Sequence, residues 1–220
     1  MRLRTYFFCI LITTAILNAC GGDTTSNSPI NEGKPSSSSG TVSDTLIDSR
    51  DGQTYKVVTI GSQTWMAENL NYKMDGSSCY NDSLKNCEQY GRLYTWNAAM
   101  EACPEKWHLP DSTEWNILIE FGGGKNTAGK TLKAATDWPF INYGDGTTVV
   151  GTDDYGFSIL PGGLYLLPDD EAGYVQKRVS AHFWTAIENF ERYIQNNHAS
   201  FVGPEKQFKG TRLSVRCLKD

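Results

Sequence analysis

Between Thr45 and Leu70 apolar and polar residues interleave in three short runs, TLIDS, QTYKVVTI and QTWMAENL, parted by Arg50-Asp51-Gly52 and Gly61-Ser62. Such β-favouring runs bounded by turn formers predict a strand meander. Residues 71–88 read as a polar loop. The period then lengthens. In GRLYTWNAAMEAC, Tyr94, Ala98 and Glu101 fall on one line, and Leu93, Trp96 or Asn97, Met100 and Cys103 on the next. This predicts a helix over about 93–103 with one largely apolar face, stopped by Pro104. Asp111-x-x-Glu114 is a capping-box pattern, followed at helical spacing by Trp115, Leu118 and Ile119 and ended by Gly122-Gly123-Gly124. A third short helix is expected over about 128–135. Beyond Asp137 the chain is rich in Gly, Asp and aromatics. DYGFSILPGGLYLL, SAHFWTAIEN, ERYIQNNHASF and TRLSVRCLKD read as strands. The last alternates, with Leu213, Val215 and Cys217 one way and Ser214, Arg216 and Leu218 the other. Strands, then two to three short helices, then strands imply an α+β fold with antiparallel sheets.

The first residues follow a different pattern. Arg2 and Arg4 precede an apolar run from Tyr6 to Leu17 that is too short to span a bilayer and of signal-peptide length. It ends in Leu17-Asn18-Ala19-Cys20, which resembles the lipobox of bacterial lipoprotein precursors. The expected organisation is therefore a lipoprotein signal peptide over 1–19, a lipidated Cys20 opening a Ser/Gly/Thr-rich tether over 20–42, and a folded domain over 43–220. Residues such as Ser36 to Ser39 carry no apolar side chain to offset the entropy of ordering them, which is why a tether is expected. No later segment is long and apolar enough to cross a membrane, so the anchor to the membrane is expected to be the lipid. Gly21 after the lipidated cysteine is no inner-membrane retention signal, which points to the cell envelope and, by default, its outer membrane.

Charge and cysteines narrow the classes. The formal net charge is −5, and there is no basic cluster in the exported part, which argues against nucleic acid as a partner. Cys79, Cys87, Cys103 and Cys217 remain in the exported domain, an even number that allows three disulfide connectivities. Cys79 and Cys87 bracket a short polar loop, and Cys103 and Cys217 are far apart, so the favoured pairs are Cys79–Cys87 and Cys103–Cys217. A zinc site is the weaker reading, because no C-x-x-C pair exists and His108 has no matched partner.

The segments DGQTYKVVTIGSQTWMAENLNY, YGRLYTWNAAMEACPEKWHLPDSTEW, DDYGFSILPGG, FWTAIE and SVRCLKD stand in an order that resembles the Fibrobacter succinogenes major paralogous domain. The resemblance covers about 45–220. It implies an exported or lipid-anchored bacterial protein and no particular molecular activity. At the level of fold, a helix carrying Cys103, then WHLPDSTEW, then a last strand ending VRC is similar to C-type lectin-like domains and to the related formylglycine-generating-enzyme fold. That likeness implies a disulfide from first helix to last strand, which agrees with Cys103–Cys217.

Candidate chemistry is sparse. No G-x-S-x-G, H-E-x-x-H or P-loop pattern is present, and His108, His182 and His198 are scattered, so no catalytic residue is assigned and an enzyme is not expected. His108, between Trp107 and Leu109, reads as a packed corner residue. Lectin-like folds carry ligands on late loops. There, Asp145, Asp153 and Asp154 lie in a Gly-rich region and Glu188-Asn189 follow FWTAI. Asp153, Asp154 and Glu188 are the candidate calcium ligands, though E-P-N and W-N-D patterns are absent and no cofactor is assigned. Tyr143, Tyr155, Tyr165 and Tyr174 are candidate surface rings, whereas Phe183 and Trp184 read as core. The candidate ligand-binding set is thus Tyr143, Asp153, Asp154, Tyr155, Glu188 and Asn189. The expected function is non-catalytic binding of a polysaccharide or a surface protein partner. The alternatives are an envelope structural or assembly role and a divergent formylglycine-generating-type enzyme.

Overall fold

The computed structural model describes residues 41–139, 149–167 and 173–220. The signal peptide, Cys20, nearly all of the tether, Tyr143 and Asp145 lie outside the described residues. The meander forms, but its first strand opens at Thr41, inside the expected tether, and its third stops at Met66, short of Leu70. Strands β1 (Thr41–Ile47), β2 (Thr54–Ile60) and β3 (Gln63–Met66) pair antiparallel in turn. The next elements are β4 (Ser77–Ser78), a 3-10 turn (Tyr80–Asp82), α1 (Leu84–Tyr90), β5 (Leu93–Tyr94), α2 (Trp96–Ala102) and β6 (Trp107–His108). Helices α3 (Ser112–Phe121) and α4 (Ala128–Leu132) follow, then β7 (Leu164–Leu166), β8 (Gly173–Val175), β9 (Ser180–Trp184), β10 (Phe190–Gln195), β11 (Val202–Lys206) and β12 (Leu218–Lys219). The main sheet has the order β1-β2-β3-β12-β6, and β11-β10-β9 form a second. The fold is α+β with antiparallel strand pairs and four short helices among the described residues.

Two apolar cores lie on opposite sides of the strands, and period-2 alternation sorts residues between them. Trp65, Phe183 and Leu218 enter the first core, with Trp115, Leu118 and Ile119 of α3 and Leu132 of α4. Met66, Trp184, Val215 and Cys217 enter the second, with Ala98, Ala99 and Ala102 of α2. Trp115 stands at the centre of the first core, with ring centroids of Trp65, Phe183 and Phe201 5.0, 5.5 and 5.7 Å away. Phe183 and Trp184 are core residues, as their strand position implies.

Both favoured disulfides are present, Cys79–Cys87 and Cys103–Cys217. The second closes a 114-residue separation from the end of α2 to the residue before β12. In the chain-entropy model such loops contribute about 2–3 kcal/mol for the short bridge and about 4–5 kcal/mol for the long one. The capping box is also formed. Thr113 N and Glu114 N donate to Asp111 Oδ1 at 2.7 and 2.8 Å, and Asp111 N donates to Glu114 Oε2 at 2.8 Å.

Four expectations need correction. Helix α2 begins at Trp96, because Thr95 caps it by accepting from Ala98 N, while Leu93 and Tyr94 pair as a strand with β4. Its buried face is Ala98, Ala99 and Ala102, and Met100 is 45% exposed, so the larger side chain did not mark the core side. The region between the short-bridge cysteines is not all loop, since α1 starts there. The last segment is also no continuous strand. It is held by single bridges, Leu213 to Tyr94, Arg212 to Tyr165 and Ser214 to Phe183, before β12 forms. A segment buried on both sides touches several neighbours rather than one.

Candidate functional site

A cleft of about 680 Å³ opens where five stretches converge. Its walls are the start of β2 (Gln53 to Lys56), the chain after β3 (Ala67 to Asn71), the end of α1 (Cys87 to Gly91), Ala134 to Thr136, and the turn carrying Asp153 and Ser158. Arg216 forms part of its lining.

Helix α1 is too short to be stable by itself. It is held by packing and cross-linking. Cys87 and Tyr90, three apart, turn inward, and the Cys79–Cys87 disulfide ties the helix to the preceding 3-10 turn. The helix ends at Gly91, whose φ of 73° suits glycine. A Cβ there would lie 2.7 Å from Asn69 Cβ and 2.8 Å from Leu70 O. This close approach lets Arg92 N donate to Leu70 O at 3.0 Å, so α1 and the chain after β3 stand side by side as two walls.

Arg216 organises the base of the cleft. It is fully buried, and its guanidinium donates to Asn69 Oδ1 at 2.6 Å, Phe157 O at 2.6 Å, Ser158 O at 3.1 Å and Met66 O at 3.2 Å. Phe157 lies 4.8 Å from its carbon centre. Burial pushes its pKa down to about 9, while the charges of Glu68 and Asp153 oppose the shift. The buried cation thus pins two cleft walls to each other, the chain after β3 and the turn carrying Asp153 and Ser158. Asn69 spends its other end on Tyr90 O, 2.8 Å away. Glu68 accepts from Lys56 N at 2.8 Å. Asn71 Oδ1 is buried and accepts no hydrogen bond among the described residues. Glu88 and Gln89 are exposed at the rim beside Tyr90, whose pKa is raised by burial and by the Asp137 charge, against Arg178.

The predicted ligand set is dispersed. Asp153 does reach the cleft, but both its oxygens are engaged, with Ser158 N at 2.7 Å and Ser158 Oγ at 2.6 Å. With φ of 49° it builds the turn that presents Ser158 and Arg216's acceptors. Asp154 is exposed and its N–H donates to Thr131 O. Tyr155 packs on the first core, edge-on to Phe121 at 5.2 Å, and its hydroxyl donates to Phe121 O. Glu188 and Asn189 form the β9–β10 turn, where Asn189 has φ of 60°, and neither lines the cleft. No three His, Cys, Asp or Glu converge as a metal-holding group among the described residues, so Asp153, Asp154 and Glu188 do not form one.

Two histidine networks went unrecognised in the sequence. His108 is not packed in an apolar corner. Its Nε2 meets Glu114 Oε1 at 2.9 Å and its Nδ1 meets Asp220 Oδ1 at 2.8 Å. Partial burial lowers its pKa, but the two carboxylates outweigh that and leave it raised. His182 lies between Ser180 Oγ and Glu191 Oε2, both at 2.8 Å, in the order of a Ser-His-Glu triad. Yet Ser180 is 0% exposed, its hydroxyl also meets Gln176 Oε1 at 2.6 Å, and the imidazole stacks on Tyr193. No substrate reaches that hydroxyl in this arrangement, so the network ties β9 to β10. The i, i+2 spacing of Ser180 and His182 on one strand face was the available signal.

A family model, the Fibrobacter succinogenes major domain, matches residues 58–219. No curated protein and no solved structure gives a significant match. The matched span begins within β2 and contains α1, both disulfides, the Asp153 turn and Arg216. It also covers well over half of the chain, in the segment order noted above, and the chain belongs to the Fibrobacter succinogenes major domain family.

Proposed function

We propose that this is a lipid-anchored cell-envelope protein whose domain binds a polysaccharide in the 680 Å³ cleft without catalysing its conversion. The observation that carries the reading is the lining. It sets amides, hydroxyls and carboxylates around two tyrosines, Tyr55 and Tyr90, on walls pinned by a disulfide and a buried arginine. Sugar hydroxyls need many fixed donors and acceptors, and a preformed site loses little entropy on binding them. Asn71 and Gln89 line the cleft with side-chain amides. The lectin-like kinship belongs to the same reading, and the Cys103–Cys217 bridge from α2 to the approach of β12 supports it. The signal-peptide pattern, Cys20 and the tether supply the export and anchoring, with the outer membrane as expected location.

A binding role is favoured over formylglycine-type chemistry because all four domain cysteines are spent in disulfides. The test is retention of the full chain on insoluble polysaccharides and a glycan array, beside the Asn71→Ala/Gln89→Ala double variant. Retention of the parent and its loss in the variant, at unchanged thermal stability, is the expected result. Absence of retention on every glycan, with a stable complex to one envelope protein, would replace this reading by an assembly role.

A further inference from the structure

A second concavity, about 380 Å³, adjoins the cleft and shares Gln89 and Tyr90 with it. Its character differs. Lys85, Lys177 and Arg178 line it together with a single acid, Asp137. Three cations in so small a space are notable in a chain of net charge −5. None of the three is ion-paired among the described residues. Lys177 Nζ donates to the neutral amide of Asn86 at 3.1 Å and lies 5.2 Å over the Tyr80 ring, so its charge is positioned without being neutralised by a carboxylate. Arg178 N donates to Pro161 O at 2.7 Å, and the residue has φ of 66°, so a firm backbone bond carries an exposed guanidinium.

We infer that the ligand is an acidic polysaccharide, with one of its anionic groups held by Lys85, Lys177 and Arg178 while neighbouring neutral sugars occupy the cleft. This rests on the polysaccharide reading above and adds the charge of the ligand to it. The shared border decides the geometry: a chain leaving the cleft across Gln89 and Tyr90 enters the cationic pocket directly. A guanidinium receives a carboxylate or sulfate through two parallel N–H donors, and two ammonium groups add charge-assisted bonds.

The experiment is calorimetric titration of the full chain with glucuronoxylan and gellan, in which a uronic acid stands among neutral sugars, each against its carboxyl-reduced neutral form, at low and high salt. The variant is Lys85→Gln/Arg178→Gln, two exposed positions whose side chains hold no structural bond among the described residues. The expected result is at least tenfold tighter binding of an acidic polymer than of its reduced form. That preference falls as salt rises, and it is lost in the double variant while neutral binding persists. Equal binding of acidic and reduced polymers, or a preference untouched by the double variant, overturns this inference and leaves the polysaccharide reading in place. No binding of any of the four polymers, nor of any glycan on the array, overturns both.

Discussion

Removing the short disulfide separates the stability of the domain from the integrity of its cleft. The perturbation is Cys79→Ala with Cys87→Ala, so that no free thiol remains. The two residues are 8 apart, and the chain-entropy model assigns such a loop about 2–3 kcal/mol. That is roughly half of what the 114-residue Cys103–Cys217 closure contributes. The structural consequence is larger locally than globally. Helix α1 has seven residues, no side-chain cap bond at Ser83, and an exposed Leu84, so it has little to hold it beyond the bridge, Tyr90 and Gly91. Its last residues form a wall of the cleft and the border of the cationic pocket. Urea denaturation followed by tryptophan fluorescence should show a lower midpoint with unchanged slope, a loss of about 2–3 kcal/mol. Amide exchange should accelerate in residues 84–91 well beyond the global change. Glycan retention should fall in step with that local opening. A variant that keeps its exchange protection in α1 and its full binding would refute the claim that the bridge maintains the cleft wall.

Asp111→Ala should cost about 1 kcal/mol by removing the cap of α3, without altering glycan binding, because the cap does not line the cleft. A selective loss of binding at unchanged urea midpoint would contradict this. His108 is held with a raised pKa by Asp220 and Glu114, so its contribution to stability is full below about 6.5, its ordinary value. That contribution should disappear as pH rises through the higher folded value, and His108→Asn should flatten the pH dependence of the denaturation midpoint in that window. Lys133 is fully buried, its ammonium donating to Gln195 O and His198 O at 2.6 and 2.7 Å, and burial lowers its pKa to about 8. Because the unfolded chain then binds the extra proton, stability relative to Lys133→Met should rise between pH 8 and about 10.5, by at most about 3 kcal/mol. A flat difference across that range would show that the carbonyls fully compensate for desolvation.

Features written in local spacing were legible from the sequence. The meander over 45–66 is set by alternation and turn residues. The α3 cap follows from Asp111 and Glu114 being three apart, which places each side chain on the other's N–H. The cysteine pairs followed from separation and number, with the lectin-like resemblance agreeing on the long bridge. The helix phase of α2 was misread because hydrophobicity favours Met100, whereas close packing against the second core accepts only the small Ala98, Ala99 and Ala102. Helix α1 escaped notice because its stability comes from a cross-link and neighbours, not from its seven residues.

The tertiary structure alone decided the cleft and the cationic pocket. Gln53, Asn71, Gln89 and Arg216 converge from positions up to 163 residues apart, and no periodicity relates them. Arg216 looked like one polar position in an alternating strand. Its burial against Phe157 and Phe183 of the first core turned it into the base of a site, because a guanidinium taken out of water must find its acceptors, and it finds them on two segments far apart in sequence, at Met66 and Asn69 and at Phe157 and Ser158. Asp153 looked like a ligand and became a turn, because Ser158 claimed both its oxygens. Local order is encoded where neighbours in sequence satisfy one another. A site is encoded only by which unsatisfied groups folding brings together.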